Sequence, residues 1–127
     1  QFQLSDNEYN IIKNKNLFLK CICKIHLDKS LGTGFFYYIP SINMKVIITN
    51  NHILSKEFLD NSNELVIKDY KNERKIINIA LDRFKYSDEE IDFSIIEILK
   101  EDNISNYFEI DKDFKDSKKY MNKKFLC

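Results

Sequence analysis

Residues 46–54 read Val-Ile-Ile-Thr-Asn-Asn-His-Ile-Leu, and this segment carries the clearest structural signal in the chain. Its first four residues are all β-branched, and a short run of this kind favours a buried β-strand. His52 follows the strand almost directly. A histidine at a strand end is held rigidly and can still face a cleft, so His52 is a candidate for chemistry.

Alternating apolar residues indicate further strands on both sides of this segment. Every second residue of 19–27 is apolar, a period of two that is typical of a strand with one buried face. Four other stretches have strand character: 35–39, 64–67, 75–81 and 93–99. Six strands with short connections predict an all-β fold, either a barrel or a sandwich.

Two short helical pieces and a connector complete the predicted organisation. Ser5 and Glu8 have the spacing of a capping box ahead of an apolar run, so a short helix should begin at Asp6. Residues 51–57 contain no glycine and are expected to form one helical turn. Residues 100–127 are polar and charged, and we expect a connector that contains one further strand.

Composition narrows the classes of function. The 127 residues are 43% hydrophobic, which is enough for one packed domain and excludes wholesale disorder. Lys+Arg and Asp+Glu number 20 each, so the basic excess of a nucleic-acid binder is missing and we expect no nucleic-acid partner. No stretch reaches the roughly 18 to 20 apolar residues of a membrane helix, and we expect no membrane partner.

The cysteines indicate the cellular compartment of the chain, and its first residues indicate how it is processed. Only three cysteines are present, an odd number, and Cys21 and Cys23 are too close on one strand to bridge. This pattern favours a reduced, intracellular and cytoplasmic protein. The chain begins without Met and without the features of a signal peptide, so we expect a fragment or a processed piece of a longer protein.

A zinc site at the first strand is not expected. His26 and the two cysteines Cys21 and Cys23 are ligand types, but a period of two places His26 on the opposite face of the strand. A fourth ligand is also missing. We therefore expect His26 to be an ordinary surface histidine, and the sequence implies neither a metal nor an organic cofactor.

Asp92 is the second candidate for chemistry. It opens the segment 91–98, which reads Ile-Asp-Phe-Ser-Ile-Ile-Glu-Ile and is predicted as a strand. A single Asp or His in such a place is usually structural, as a cap or a surface residue. The order of three motifs changes that interpretation: Gly-Thr-Gly-Phe at 32–35, Thr-Asn-Asn-His at 49–52 and Asp-Phe-Ser-Ile at 92–95.

These motifs resemble, in order and spacing, those of the trypsin-like serine peptidases, especially the intracellular, HtrA-like branch. The resemblance covers residues 17–110 and implies a six-stranded antiparallel Greek-key barrel, the N-terminal half of the two-barrel trypsin-like fold. It also implies that His52 is the general acid–base and that Asp92 orients it. Secreted relatives commonly have a disulfide cysteine after the histidine, whereas Ile53 stands there in this chain. The implied organisation is an arm or short helix at 1–16, the barrel at 17–110 and a connector at 111–127.

The nucleophile of this family lies on its second barrel, in a loop of Gly-x-Ser-Gly type, and no such loop occurs here. Cys127 is a poor substitute, because no loop supports it. The resemblance implies a peptide or protein substrate and a second barrel, from the same parent chain or a separate one. We expect this chain alone to be inactive and its uncovered apolar face to favour self-association.

Two other functions stay open from the sequence. The chain is either a degenerate barrel without catalysis, which binds a protein partner, or a plain β-domain whose His and Asp match by chance. A Gly-x-Ser-Gly loop in the parent protein would favour the enzyme.

Overall fold

The computed structural model describes residues 5–80 and 82–109, so the predicted connector at 111–127 and Cys127 lie outside the described residues. The helices are α1 (Asp6–Lys20) and α2 (Lys56–Asn61). The strands are β1 (Ile22–His26), β2 (Leu31–Ile39), β3 (Met44–Thr49), β4 (Glu64–Lys68), β5 (Arg74–Asn78), β6 (Lys85–Asp88), β7 (Phe93–Ile98) and β8 (Phe108–Glu109). Two short 3-10 turns lie at Pro40–Ile42 and Lys100–Asp102.

The all-β expectation is confirmed by a single, mostly antiparallel sheet. Its strand order is β5-β4-β1-β2-β3-β7-β6, and β8 adds to β2 in parallel. The sheet curls into a half-barrel. The described residues contain eight strands. β8 lies within 100–127, where one further strand is expected, whereas β6 was not predicted. β6 is short and has no alternating apolar pattern, so it gives no strand signal of its own.

The core lies on one face of this sheet, where cross-strand neighbours are apolar in register. Phe36 of β2 stands opposite Ile47 of β3, which in turn stands opposite Ile96 of β7. All three side chains are buried. Complete burial of such a side chain contributes roughly 1.5–3 kcal/mol, so this central row fixes the register of β2, β3 and β7.

Gly34 is required by the close packing of this core. A Cβ atom added there would lie 2.9 Å from Cys23 Sγ, 3.0 Å from Ile25 Cδ1 and 3.1 Å from Ile47 Cγ2. The glycine therefore leaves space that the side chains of β1 and β3 fill.

Gly34→Ala is expected to lower the free energy of unfolding by about 1–3 kcal/mol, because the new methyl group overpacks the core. Urea denaturation measures this loss. In a variant that also carries Cys23→Ala, the nearest atom, Cys23 Sγ, is absent, so Gly34→Ala should lower the free energy of unfolding by less. Equal losses in the two backgrounds would contradict the packing argument, and the exposed change Ser30→Ala should shift stability by under about 0.5 kcal/mol.

The helix α1 begins where the capping box predicts. Ser5 accepts a hydrogen bond from the Glu8 backbone N–H at 3.2 Å and donates its hydroxyl to the Glu8 carboxylate at 2.9 Å. The helix then runs to Lys20, so the prediction that the first strand includes Leu19 is wrong. Nothing from Asp6 to Lys20 stops a helix, since the segment contains neither Gly nor Pro. The predicted boundary between residues 16 and 17 falls inside α1.

The second helix lies later than predicted. α2 begins at Lys56 because Ser55 caps it, its hydroxyl accepting from the Phe58 backbone N–H at 3.1 Å. The predicted turn at 51–57 therefore covers only the beginning of this helix. Neither α1 nor α2, the two α-helices of the described residues, is long and apolar enough to cross a membrane.

A buried ion pair holds the start of β6 to the turn after β7. Arg83 Nη1 lies 2.7 Å from Asp102 Oδ2, and the two side chains are only 0% and 4% exposed. The same Arg83 group donates to the Glu97 carbonyl at 3.1 Å. Asp102 also accepts from the Leu99 backbone N–H at 2.7 Å. Both charges are thus paired and hydrogen-bonded, the condition under which buried charges are tolerated.

Candidate active site at His52 and Asp92

His52 and Asp92 are brought together by the pairing of β3 with β7. The two strands are antiparallel, and their last pair joins Thr49 to Ser94. His52 follows the end of β3 and Asp92 precedes the start of β7, so both lie at the same edge of the sheet. Residues that are 40 positions apart in sequence therefore meet beside this last pair.

The two side chains are in direct contact, as the orienting role implied for Asp92 requires. His52 Nδ1 is 2.8 Å from Asp92 Oδ2. The other carboxylate oxygen, Oδ1, accepts the His52 backbone N–H at 2.9 Å. One carboxylate thus binds both the ring and the backbone of the histidine, and it fixes the orientation of the imidazole.

Asn50 supports the aspartate from the strand side. Its side-chain amide donates to the Asp92 carbonyl at 3.2 Å and to Asp92 Oδ2 at 3.4 Å. Asp92 has a positive φ of 53°, a left-handed conformation that Asp and Asn adopt more readily than other non-glycine residues. The motif alone indicates no role for Asn50, although this residue stands within Thr-Asn-Asn-His.

Two hydroxyl groups anchor the strand ends that carry the pair. Ser94 donates its hydroxyl to the Leu54 carbonyl at 2.6 Å, and this bond ties β7 to the turn after His52. Thr49 donates to the Thr33 carbonyl at 2.7 Å. Both side chains are buried. They hold the backbone on each side of the site, a role that the sequence alone did not indicate.

The hydrogen bonds set the protonation of the site. The backbone N–H of His52, followed by its side chain, lowers the pKa of Asp92 below its usual value of 3.8. Asp92 is therefore a carboxylate at neutral pH and can only accept hydrogen bonds. The neutral imidazole must then carry its proton on Nδ1, which leaves the lone pair of Nε2 free. The His52 side chain is 66% exposed, so a reacting group can approach it.

No nucleophile partners His52 within residues 5–80 and 82–109: none of the hydroxyl or thiol groups there is hydrogen-bonded to its ring. Ser55 and Ser87 line a shallow depression beside the site, but Ser55 caps α2. Cys23 is buried, and desolvation raises its pKa to about 12, so it stays a thiol rather than a reactive thiolate. The nucleophile expected on a second barrel has no substitute among these residues.

His26 is separate from this site. It pairs with Leu31 on β2 and Val66 on β4, and it lies on the face of β1 opposite to the buried Cys23, as the alternation predicts. His26 is less exposed than an ordinary surface histidine, because the residue is partly buried and its Nε2 is shielded without a hydrogen-bond partner among the described residues. The neighbouring strands β2 and β4 cover both sides of this end of β1.

Neither the protein-family models nor the curated proteins compared with this chain match it. The chemistry open to the site therefore follows from its own atoms. A histidine held at Nδ1 by a carboxylate, with Nε2 free and accessible, can take a proton from a nucleophile and return it to a leaving group. The geometry of the pair is compatible with acid–base chemistry, and no nucleophile accompanies it among the described residues.

Proposed function

We propose that this chain is the His- and Asp-bearing barrel of a trypsin-like serine endopeptidase. The observation that carries the proposal is the double contact of Asp92 with the ring and the backbone of His52. A surface ion pair needs only one such contact. The Oδ2 contact selects the tautomer with the proton on Nδ1, and the Oδ1 contact to the backbone N–H holds the carboxylate in place, so that the ring keeps one orientation.

The strand order supports the barrel proposed from the resemblance. β5 and β6 are the two end strands of the sheet, yet they are consecutive in the chain. If they are counted as two parts of one bent strand, the path β4-β1-β2-β3-β7 returns to its own start. We propose that the sheet closes in this way into a six-stranded antiparallel barrel, with β8 as an addition outside it.

The proposed mechanism assigns one task to each residue. Nε2 of His52 takes the proton of a serine hydroxyl as that oxygen attacks the peptide carbonyl, and later gives it to the leaving amine. Asp92 stays ionised and stabilises the imidazolium that forms. The serine, the backbone donors for the oxyanion and the specificity pocket come from a second barrel, in the same parent protein or in a partner chain. The substrate is a peptide or protein.

The test uses the natural full-length protein that contains this chain, labelled with a fluorophosphonate probe. We expect stoichiometric labelling of one serine outside the 127 residues, and loss of labelling and of casein cleavage in His52→Ala. His26→Ala is the matched control, because the only other histidine lies on a different strand end. The 127-residue chain alone should show neither labelling nor turnover.

Two outcomes would contradict the proposal. Labelling of a serine within the isolated chain would show that it has its own nucleophile. A full-length protein that is folded but unlabelled would favour the alternative, a degenerate barrel that binds a protein partner without catalysis.

A further inference from the structure

One face of the helix α1 carries exposed apolar side chains with two charges among them. Positions 8, 11, 12, 15, 18 and 19 have the spacing of a single helix face, and at about 100° per residue they fall within an arc of about 120°. We call this face the α1 stripe. Its apolar members are between 45% and 60% exposed: Ile11, Ile12, Phe18 and Leu19. None of the 15 residues of α1 is buried, so the described part of the chain leaves the stripe open.

The two charges, Glu8 and Lys15, lie along the middle of the α1 stripe. The positions three and four away from Lys15 on both sides are all apolar: Ile11, Ile12, Phe18 and Leu19. Neither charge forms an ion pair among the described residues. A charge among apolar groups is tolerated at a covered surface only when an opposite charge meets it. An occupant of this face must therefore supply a cation for Glu8 and an anion for Lys15.

A second copy of α1 in the antiparallel direction supplies both charges at the required spacing. A two-fold axis that passes between residues 11 and 12 places each residue opposite the one equally far from this point on the other copy. Residue 8 then lies opposite residue 15, and this pair occurs twice in the dimer. The same axis places Ile11 opposite Ile12 at the centre. A two-fold interface requires self-complementarity of this kind.

The opposite direction of packing is disfavoured by the same charges. In a parallel pair Glu8 would meet Glu8 and Lys15 would meet Lys15, and like charges in contact repel. The Glu8 carboxylate is able to take part in the antiparallel pair, because Ser5 donates to one of its oxygens, Oε1, at 2.9 Å, and the other can accept from a lysine. The charges thus select one direction and one register.

We propose that the α1 stripe is a homodimer interface, in which two copies of the chain pack their α1 helices antiparallel with Glu8 opposite Lys15. Four half-exposed apolar side chains on each copy form a small interface compared with the roughly 1,200–2,000 Å² of a stable complex. We therefore expect a dimer that dissociates on dilution, with a Kd between about 10 μM and 1 mM. The inference is independent of the peptidase proposal, since it uses neither His52 nor Asp92.

Sedimentation equilibrium of the complete 127-residue chain at low ionic strength tests the inference. Lys15→Glu places two carboxylates opposite each other at both ends of the interface, and we expect it to raise the Kd about fivefold or more. Lys13→Glu is the matched control. It makes the same charge change on the same helix, but about 160° away from Lys15, and it should change the Kd by less than about twofold.

A mixture of two variants tests the pairing itself. Glu8→Lys places two lysines opposite each other, so this variant should also associate weakly by itself. When it is mixed with Lys15→Glu, every charge in the mixed dimer meets an opposite charge, and we expect a Kd about fivefold or more below that of either variant alone. Glu8→Lys also removes the hydrogen bond from Ser5, so circular dichroism verifies that the variants keep the helix content of the unaltered chain.

Three results would overturn the inference. The first is an unaltered chain that stays monomeric up to about 1 mM. The second is an equal effect of Lys15→Glu and Lys13→Glu, or none from either, since the copies would then associate through another face. The third is a mixture of the two charge variants, with helix content retained, that associates no more tightly than each variant alone.

Discussion

Asp92→Asn, introduced into the full-length protein that contains this chain, is expected to lower kcat for casein cleavage about 10⁴-fold with little change in KM. The asparagine oxygen can still accept the His52 backbone N–H, which Asp92 Oδ1 accepts at 2.9 Å. Its NH₂ group replaces Oδ2 and donates a hydrogen bond, so Nδ1 of His52 must become the acceptor. The ring proton then moves to Nε2, and the histidine can no longer act as a base.

The choice of asparagine keeps the backbone intact. Asp92 has a φ of 53°, and Asn tolerates the left-handed region as well as Asp does. The loss of activity would therefore report on the carboxylate and not on strain. Steady-state kinetics measure kcat and KM, and Glu90→Gln, an exposed change two residues earlier, is the control. A loss of under about tenfold for Asp92→Asn would contradict the assigned role.

Asp102→Asn is expected to lower the free energy of unfolding by about 3–5 kcal/mol, a large part of the roughly 5–15 kcal/mol of a typical domain. The substitution keeps the shape of the side chain, so no cavity is made. It leaves the Arg83 guanidinium, which is 0% exposed, without a counter-charge. Urea denaturation of the 127-residue chain measures the loss.

A double variant separates the charge from the packing. Arg83→Met with Asp102→Leu removes both charges, and it should be more stable than Asp102→Asn alone, although it changes more atoms. The exposed change Asp28→Asn should shift the free energy of unfolding by under about 0.5 kcal/mol. If Asp102→Asn lowers the free energy of unfolding as little as this control does, the burial argument is contradicted, because water must then reach the pair.

The placement of His52 and Asp92 could be predicted because each stands next to a strong strand signal, and the order of three motifs linked them. The hydrogen bonds from Asn50 to Asp92 could not be predicted, because they depend on how β3 and β7 align. The Arg83–Asp102 pair could not be predicted either, because charged residues are normally exposed and these two are buried. Only the contact between the start of β6 and the turn after β7 makes burial of these charges tolerable.

The errors at the helices have a different origin. The alternation of apolar residues begins at Leu19. Residues 19 and 20 are equally compatible with a helix, because no glycine or proline precedes them in this segment, and in the structure they form the last residues of α1. α2 starts at Lys56 because a serine hydroxyl caps it there, a local effect that apolar periodicity does not report. Boundaries between elements are thus set by caps and neighbours, whereas the core strands follow from their apolar pattern alone.

The pairing of β3 with β7 has a consequence for the order in which the molecule assembles. Its five pairs join residues between 45 and 53 positions apart, and β4, β5 and β6 all lie in the loop that this pairing closes. Closing so long a loop lowers the chain entropy before the contacts between the strands can stabilise the closed form. Contacts between residues this far apart in sequence therefore slow folding. The β1–β2 and β4–β5 hairpins are local and can form first. We therefore expect His52 and Asp92 to meet in a late step, so that their contact marks a chain that has reached its native topology.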